Sequence, residues 1–590
     1  MSFYSNTANQ WPTRFANLFG LLTLLACTAP EARSQIIQTP ASEEQRRRAQ
    51  ADAEERQRLL REPSVELRTP ILPSSETTEI LVLPGESPCF TIHQLSLTVS
   101  PQLSREAKIA GASELALDPF FFAQEYLQQY KNVCVGKDGL NLIIKRLTNL
   151  ILQKGYSTTR VGISEQDLST GVLTLTLVPG LIHSIHFTDS SSYGTWRNAF
   201  PTGPGKLLNL RDLEQGLEQM KRVPFQDVDM QIVPTDEAGE SDVILNTNRT
   251  KAWKLTATLD NSGAKGTGQL QAGGNFSLDN LFGLSDLFNI GINTDADRKG
   301  DQRGTNGHNL YYSLPFGYWN YSISASDYDY HQEIAGNNQT FVSSGKSKNA
   351  EFKINQLIQR DQTQKNSWQL KIGKRWSRSF IDEAEIDVQK RNITFVELGW
   401  IHKHYFGNAQ LDLTLANRWG TSWLGGKADL EGRNTDEPTF TYALQTIDAT
   451  LTAPFQIANQ PLRYIGTLRG QTSHSALYLA DQFSIGGRYT VRGFDGELTL
   501  TAERGFYLRN ELDIPIANSG QSAYIGMDFG KVYGSSAQYL IGDKLAGTTL
   551  GIRGAYHGFM YDLFSSWPVN KPAQFKTATP SVGFNLTFQY

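Results

Sequence analysis

The residue types that most often bind metal ions are sparse and scattered in this chain. Its 590 residues include nine histidines and three cysteines. Neither an H-E-x-x-H nor a C-x-x-C pair occurs. Because a zinc site needs several such ligands at close spacing, the sequence gives little support for one. We predict no metal and no other cofactor.

One segment ends like a phosphate-binding loop. Gly345-Lys346-Ser347 matches the end of that motif, but Thr340 occupies the position of its first glycine. A strand-to-helix pattern is also missing around it, so we interpret the segment as a loop between strands. Since no G-x-S-x-G motif occurs either, we predict no nucleotide partner and no enzyme activity.

The N-terminus has the pattern of an export signal. Arg14 precedes an apolar run over 18–26, and the small residues Ala32 and Ser34 follow it. A basic start, a short apolar stretch and small residues before a cleavage point are typical of a secretory signal peptide. We predict that residues 1–34 are removed. A lipoprotein box ending at Cys27 and a buried helix of the mature protein are the alternatives.

Export would place the other two cysteines, Cys89 and Cys134, in an oxidising compartment. Cysteine pairs in such compartments usually form disulfides. We therefore predict a disulfide between Cys89 and Cys134, with two unpaired buried thiols as the alternative.

Charge and hydropathy narrow the class of protein. The chain has 55 Lys and Arg against 59 Asp and Glu, a net charge of −4. A nucleic-acid partner is not expected, because the basic surplus that binds phosphates is missing. No run of eighteen apolar residues occurs, which excludes a membrane protein built from spanning helices. A transmembrane barrel stays open, since its strands alternate apolar and polar residues.

The predicted secondary structure changes along the chain, starting with a polar helix and a linker. Residues 35–62 contain a helical pattern over 41–62 that is rich in Ala, Glu, Gln and Arg and lacks a broad apolar face. Such a helix must be solvated or lie in a polar cavity. Residues 63–88 carry five prolines and read as an extended linker.

Two short α+β modules follow. In the first, over 89–180, the apolar residues of 90–99 mark a strand with one slip in alternation, and 140–151 show the apolar stripe of an amphipathic helix. The second module, over 181–250, repeats strand, helix and two strands in reduced form.

From 251 to 590 the hydrophobic period is two. A region of this length would make one closed sheet of about sixteen antiparallel strands. The alternative is a soluble sandwich or solenoid. The C-terminal strand shows the alternation most clearly, with one face formed by Val582, Phe584, Leu586, Phe588 and Tyr590.

Several segments, in this order, resemble successive blocks of the two-partner secretion outer-membrane transporters, which export haemolysins, filamentous adhesins and contact-dependent-inhibition toxins. The resemblance runs from about residue 40 to the end. The matching blocks are ESPCFTIHQLSL, CVGKDGLNLIIKRLTNLILQKGYSTTRV, QDLSTGVLTLTLVPG, LNLRDLEQGLEQMKRVP, LDNSGAKGTGQLQAGGNFSLDNLFGLSD and IGGRYTVRGFDGE.

The resemblance implies a mainly β fold: an N-terminal plug helix, a linker, two POTRA domains over 89–180 and 181–250, and a sixteen-stranded transmembrane barrel. It also implies a sixth extracellular loop, around 486–500, that folds into the lumen. The V-R-G-[FY] motif of that loop is matched by Val491, Arg492, Gly493 and Phe494. Its arginine is expected to pair with Asp528, and a guanidinium can hold a carboxylate through two hydrogen bonds.

The expected function is export of one large, unfolded β-helical partner across the Gram-negative outer membrane, with the POTRA domains in the periplasm. Outer-membrane lipids and the barrel-assembly machinery are further expected partners, and the protein is expected to be a monomer. One departure is the final Tyr590, where phenylalanine is commoner in this family. Two rivals are a barrel-assembly insertase, which lacks the plug helix, and a passive porin or adhesin.

Overall fold

The computed structural model describes most of the chain: residues 41–60, 65, 82–99, 119–189, 193–335, 339–517 and 519–590. The predicted signal peptide over 1–34, and the linker over 63–88 apart from 65 and 82–88, lie outside these residues. Across the described ranges, no helix combines the length and apolar character needed to span a membrane.

The first helix, α1, spans Ala41–Leu60 and is polar all round. It forms because Ala, Glu, Gln and Arg favour helix and because Gly and Pro are absent. Glu43 and Glu44 in its first turn complement the helix dipole. An ion pair of 2.6 Å joins Arg48 to Glu44 one turn apart.

The first α+β unit packs two helices against a three-stranded sheet of order β2-β5-β4, and β1 pairs separately with β3. Its elements are β1 Phe90–Ile92, β2 Gln94–Val99, α2 Phe121–Leu127, β3 Val133–Val135, α3 Lys137–Gln153, β4 Arg160–Ile163 and β5 Val172–Val178. The predicted single strand over 90–99 is wrong, because the chain passes from one sheet to the other at His93. That residue is the slip in the alternation.

The second α+β unit has one helix on a sheet of order β6-β8-β7. Its elements are β6 Leu181–Phe187, α4 Leu210–Lys221, β7 Gln226–Pro234 and β8 Glu240–Arg249. Leu213, Leu217 and Met220 on α4 are buried against this sheet. The Asn209 side chain caps α4 by accepting a hydrogen bond from the main chain of Arg211 at 2.9 Å.

The rest of the chain is strands, and sixteen long ones close into an antiparallel barrel through the pairing of β27 with β9. In chain order, the strands of this region, with three short ones included, are β9 Trp253–Asp260, β10 Gln271–Asp279, β11 Leu287–Asp295, β12 Arg303–Phe316, β13 Trp319–Ala335, β14 Thr340–Arg360, β15 Gln364–Ile381, β16 Ala384–Glu385, β17 Arg391–Phe406, β18 Ala409–Thr421, β19 Ala443–Ile457, β20 Gln460–Ser473, β21 Phe483–Ile485, β22 Leu500–Ala502, β23 Arg504–Ile516, β24 Gln521–Tyr533, β25 Lys544–Tyr556, β26 Phe559–Asn570 and β27 Ser581–Gln589. The short β16 only extends the edge of β15, and β21 pairs with β22 outside the barrel sheet.

Alternation along these strands separates an apolar exterior from a polar lumen, as the period of two predicts. Ile323, Trp368 and Leu550 are outward and exposed. The predicted loop at Gly345-Lys346-Ser347 is wrong, because all three residues pair with β13 inside β14. Gly345 fits there because a Cβ would lie 2.5 Å from the Tyr330 ring, so only glycine lets that ring lie over the strand.

Candidate functional site

The chain between β20 and β23 folds back against the inner wall of the barrel. Its two short strands, β21 and β22, form a hairpin, and a buried apolar cluster fixes it to the wall. The Phe494 and Phe575 rings meet edge to face with centroids 5.4 Å apart. The cluster consists of Phe483, Ile485, Val491, Phe494, Leu500, Ala502, Tyr507, Val532, Leu545 and Phe575.

At the tip of this loop, Arg492 meets the carboxylate of Asp528 on β24. Arg492 Nε donates to Asp528 Oδ2 at 2.7 Å, and Nη2 donates to Oδ1 at 2.8 Å. The main-chain N–H of Arg492 donates to the same Oδ2 at 2.9 Å. Because Asp528 is only 1 % exposed, its charge depends for compensation on this arginine and, at 3.9 Å, on Arg509.

Three further charged residues extend this contact, and the sequence did not single them out. Arg492 Nη1 donates to Glu511 Oε2 on β23 at 2.5 Å. Glu511 Oε1 in turn accepts from Arg553 on β25 at 2.6 Å, and Arg553 also contacts Asp513 at 2.7 Å. The loop arginine therefore belongs to a network that spans three neighbouring strands.

Close approach of the loop to the wall depends on glycines. A Cβ on Gly526 would lie 2.5 Å from Arg492 Nη2, and one on Gly547 would lie 1.9 Å from the Arg492 carbonyl oxygen. Gly493 has a φ of +109°, which disfavours any other residue. These three positions let the Arg492 backbone lie directly on β24 and β25.

The first half of α1 lies in the lumen beside this loop. The Tyr328 hydroxyl donates to Glu43 Oε1 at 2.8 Å, and Arg47 stacks on the Tyr328 ring 3.2 Å from its centroid. Gln45 Nε2 donates to the Leu479 carbonyl at 2.8 Å, and Gln45 Oε1 accepts from Thr501 at 3.3 Å. Since Thr501 lies in β22, α1 and the loop hairpin contact each other.

Ion pairs hold the second half of α1. Asp52 contacts Arg469 on β20 at 2.9 Å. Glu55 pairs with Lys353 on β14, and Arg56 lies 3.5 Å from Asp448 on β19. Contacts on opposite sides of the closed sheet place α1 inside the barrel, and they are ionic, hydrogen-bonded or cation–π. Such contacts exchange readily for water, unlike a buried apolar stripe.

The second α+β unit is fixed to the barrel by a buried ionic junction. Arg360, at the end of β14, donates to Glu214 at 2.9 Å and to Glu218 at 2.7 Å. It also contacts the carbonyl of Val65 at 2.5 Å, and the Val65 N–H donates to Glu218 at 2.6 Å. Although burial opposes ionisation, Arg360 and Lys365 hold the pKa of Glu218 below its usual value. The chain five residues after α1 is thus attached at this junction.

The two remaining cysteines lie in the first α+β unit. Cys89 and Cys134 are joined by a disulfide, with their Cα atoms 5.5 Å apart. Nearby Glu86 accepts hydrogen bonds from the main chain of Asp138 at 2.8 Å and Gly139 at 2.6 Å. These bonds lower the pKa of Glu86 and cap the N-terminus of α3. Glu86 was missed because it lies in a proline-rich stretch that reads as linker.

The C-terminal strand faces the outside of the barrel. Val582, Leu586, Phe588 and Tyr590 are exposed, and Phe584 is half-buried on the same face. The main chain of Tyr590 exchanges two hydrogen bonds with Leu255, at 2.9 and 3.2 Å.

Within the part of the chain that the structure describes, no group of three His, Cys, Asp or Glu side chains could hold a metal ion.

Comparison with known proteins agrees with this arrangement. The family described as haemolysin secretion/activation protein ShlB/FhaC/HecB matches residues 239–554. A ShlB-type POTRA domain matches 105–180, and a second POTRA domain matches 181–234. The two α+β units, here called POTRA1 and POTRA2, are therefore confirmed as POTRA domains.

Individual relatives extend the similarity to nearly the whole chain. Outer membrane transporter CdiB-2 of Burkholderia pseudomallei (strain 1026b) is 44 % identical over 589 residues, covering 98 % of this chain and 100 % of that protein. Hemolysin transporter protein HpmB of Proteus mirabilis is 27 % identical over 403 residues, covering 68 % of this chain and 71 % of that protein.

Among solved structures, CdiB from Acinetobacter baumannii superposes with a TM-score of 0.82 at 27 % identity, covering 94 % of this chain and 100 % of that one. The predicted barrel, POTRA domains and outer-membrane location are confirmed. The chain belongs to the ShlB/FhaC/HecB family, the outer-membrane transporters of two-partner secretion, with its POTRA domains in the periplasm.

Proposed function

We propose that this chain passes one large, unfolded β-helical partner through its barrel, and that α1 and the loop around 486–500 close the lumen until the partner arrives. One observation carries the proposal: a polar helix occupies the lumen and is held there by exchangeable contacts such as Asp52–Arg469. A helix that must leave an aqueous channel cannot depend on a buried apolar face. No catalytic step enters this proposal.

The partner is a contact-dependent-inhibition toxin rather than a haemolysin or an adhesin. This choice is supported by the names of the relatives, since the 44 % identical protein is a CdiB transporter and the haemolysin transporter is only 27 % identical. The POTRA sheets supply the entry site, because their edge strands can add an extended chain by β-augmentation. Folding of the partner outside the cell then removes the extended form that could slide back.

Within this cycle, Arg492 and Asp528 act as the lock of the loop, with Val491, Gly493 and Phe494 seating its tip. Their buried, bidentate contact supports this role. The Cys89–Cys134 disulfide stabilises POTRA1. The outward face of β27 is the segment that the barrel-assembly machinery recognises before insertion among outer-membrane lipids, and the transporter works as a monomer.

The test is to tether α1 to the loop hairpin in the full-length chain. Cysteines replacing Gln45 and Thr501, whose side chains lie 3.3 Å apart, are joined by a short bifunctional thiol reagent with a reducible link. We expect partner secretion to stop and to return on reduction. The single variants Gln45→Cys and Thr501→Cys, treated identically, are the controls. Secretion at the control level from fully cross-linked protein would contradict the proposal.

A further inference from the structure

A cleft of about 720 Å³ lies where POTRA2 meets the periplasmic rim of the barrel. Its POTRA2 wall includes Arg197, Phe200 and Arg211, and its barrel wall includes Phe316 and Trp319 at the turn between β12 and β13. This volume is in the range of small-molecule binding sites. None of the contacts described above for α1 or the loop involves this cleft.

The two walls are held in a fixed relation by hydrogen bonds across the junction. Asn198 Nδ2 donates to the carbonyls of Leu284 at 2.6 Å and Pro315 at 3.0 Å. The side chains of Gln215 and Gln219 both donate to the Gly317 carbonyl, at 3.2 and 3.0 Å. The cleft is therefore built into the junction.

The barrel wall of the cleft faces the lipid. Phe316 is 61 % exposed, and Trp319 and Ile358 are also exposed. They end the outward apolar face of β12, β13 and β14, and Trp319 stacks on Tyr321 with centroids 6.3 Å apart. Aromatic residues in this position mark the level of the lipid headgroups. The mouth of the cleft therefore lies beside the headgroups of the periplasmic leaflet.

The charge that faces the cleft is positive. Arg197, Arg211 and Arg360 line it, and no acidic side chain is among its lining residues in the described ranges. Arg360 is already compensated by Glu214 and Glu218. The positive charges of Arg197 and Arg211 are less fully paired with carboxylates, which makes these two arginines the candidates for binding an anion.

Arg197 is exposed, and within the described residues it has no carboxylate in ion-pair range; its guanidinium lies 5.2 Å from the Trp196 ring centroid. Arg211 is only 8 % exposed and uses Nη1 to contact Glu214 at 2.5 Å. Its Nη2 is buried without a hydrogen-bond partner among the described atoms. A buried donor left unpaired costs free energy, and a ligand oxygen would remove that cost.

We infer that this cleft binds a phospholipid of the periplasmic leaflet. Arg197 donates to the phosphate oxygens, which guanidinium groups favour as partners, and Arg211 adds a second hydrogen bond when its unpaired Nη2 turns toward the cleft. The acyl chains run along Phe316, Trp319 and Ile358 toward the bilayer. A lipid in this position would contact POTRA2 and the barrel together and so strengthen the junction from which partner export begins.

Native mass spectrometry of the full-length chain in detergent, titrated with phosphatidylglycerol or phosphatidylethanolamine, tests this inference. We expect Arg197→Gln to weaken lipid binding at least about tenfold, because a charge-assisted contact is lost. The matched control is Arg160→Gln, which removes an exposed arginine of POTRA1 that contacts only main-chain carbonyls of its own loop. Its lipid affinity should equal that of the wild type.

Equal lipid affinity of the wild type and Arg197→Gln would overturn the site. A second experiment uses the wild type alone. Inorganic phosphate is added with and without lipid, and binding of each is followed by native mass spectrometry. We expect phospholipid to bind at concentrations where inorganic phosphate does not. If inorganic phosphate binds and phospholipid fails to compete with it, the cleft is a free-phosphate site and the lipid assignment is wrong.

Discussion

Replacing Arg492 by alanine tests the lock of the loop. In the wild type, Asp528 accepts three hydrogen bonds from Arg492, two of them from the guanidinium. Arg492→Ala removes those two and leaves Asp528, which is 1 % exposed in the wild type, with Arg509 at 3.9 Å as its nearest cation. Breaking a buried ion pair by removing one partner costs about 3–5 kcal/mol. Since the lumen is polar, we expect the lower end, about 3 kcal/mol.

We expect this free-energy cost to destabilise the loop in its lumenal position, because the hydrogen bonds of the barrel sheet do not depend on the Arg492–Asp528 pair. A change of about 3 kcal/mol shifts the ratio of displaced to seated loop by about 100-fold. The assay is single-channel recording in planar bilayers with a chain that lacks residues 41–60, so that the loop is the only one of the two proposed closures that is left. We expect the ratio of open to closed time to rise by about that factor.

A double-mutant cycle with Asp528→Ala separates the loss of the Arg492–Asp528 interaction from nonspecific destabilisation of the barrel. We expect the double variant to be little worse than either single variant, because the two residues act as one unit. Arg378→Ala is the control: Arg378 lies 3.8 Å from Glu385, its side chain is 58 % exposed, and the pair is separate from the Arg492 network, so an effect below about 1 kcal/mol is expected. Additive effects of the two single variants would show that Arg492 and Asp528 do not act as a pair.

Three further predictions follow from other parts of the chain. Deleting residues 41–60 should raise the ion conductance of the barrel, and unchanged conductance would contradict the plug assignment. Replacing Cys89 and Cys134 by serine should lower the free energy of unfolding of POTRA1 by about 4 kcal/mol in the chain-entropy model, measured by hydrogen exchange of the full chain in urea; a loss below about 1 kcal/mol would not fit. Because hydrogen bonds depress the pKa of Glu86, its stabilising effect is complete above about pH 4.3 and is lost as pH falls through its lower folded-state pKa. Exchange protection at the start of α3 should fall in that acid range in the wild type and not in Glu86→Gln.

Local periodicity predicted the strands of the barrel and the two α+β modules, and the family resemblance identified them as a transmembrane barrel and POTRA domains. A period of two over 251–590 specifies strands with one apolar face, whatever their neighbours are. The failure at Gly345-Lys346-Ser347 has the same origin. Small and polar residues look like a loop when read alone, but here they belong to a strand, in which Gly345 and Ser347 pair with the inward-facing Tyr330 and Tyr328 and Lys346 is exposed on the other face.

The ionic network at the loop tip was predicted only in part, because its residues come together through strand register. Family resemblance pointed to Arg492 and Asp528. Glu511 lies opposite Gly526 in the pairing of β23 with β24, and nothing in the local sequence reports that alignment. The role of Gly547 is equally hidden, since it depends on the path of a loop more than fifty residues earlier in the chain.

In the proposed export cycle, the partner passes through the space that α1 occupies at rest. A photo-crosslinking residue in place of Lys353, which contacts Glu55 of α1, tests it in cells that export a stalled partner; the outward-facing Ile323 position is the control. We predict cross-links to α1 without partner, cross-links to the partner polypeptide during stalled export, and neither at the control position. Cross-links to α1 alone, unchanged while the partner is being exported, would contradict the account.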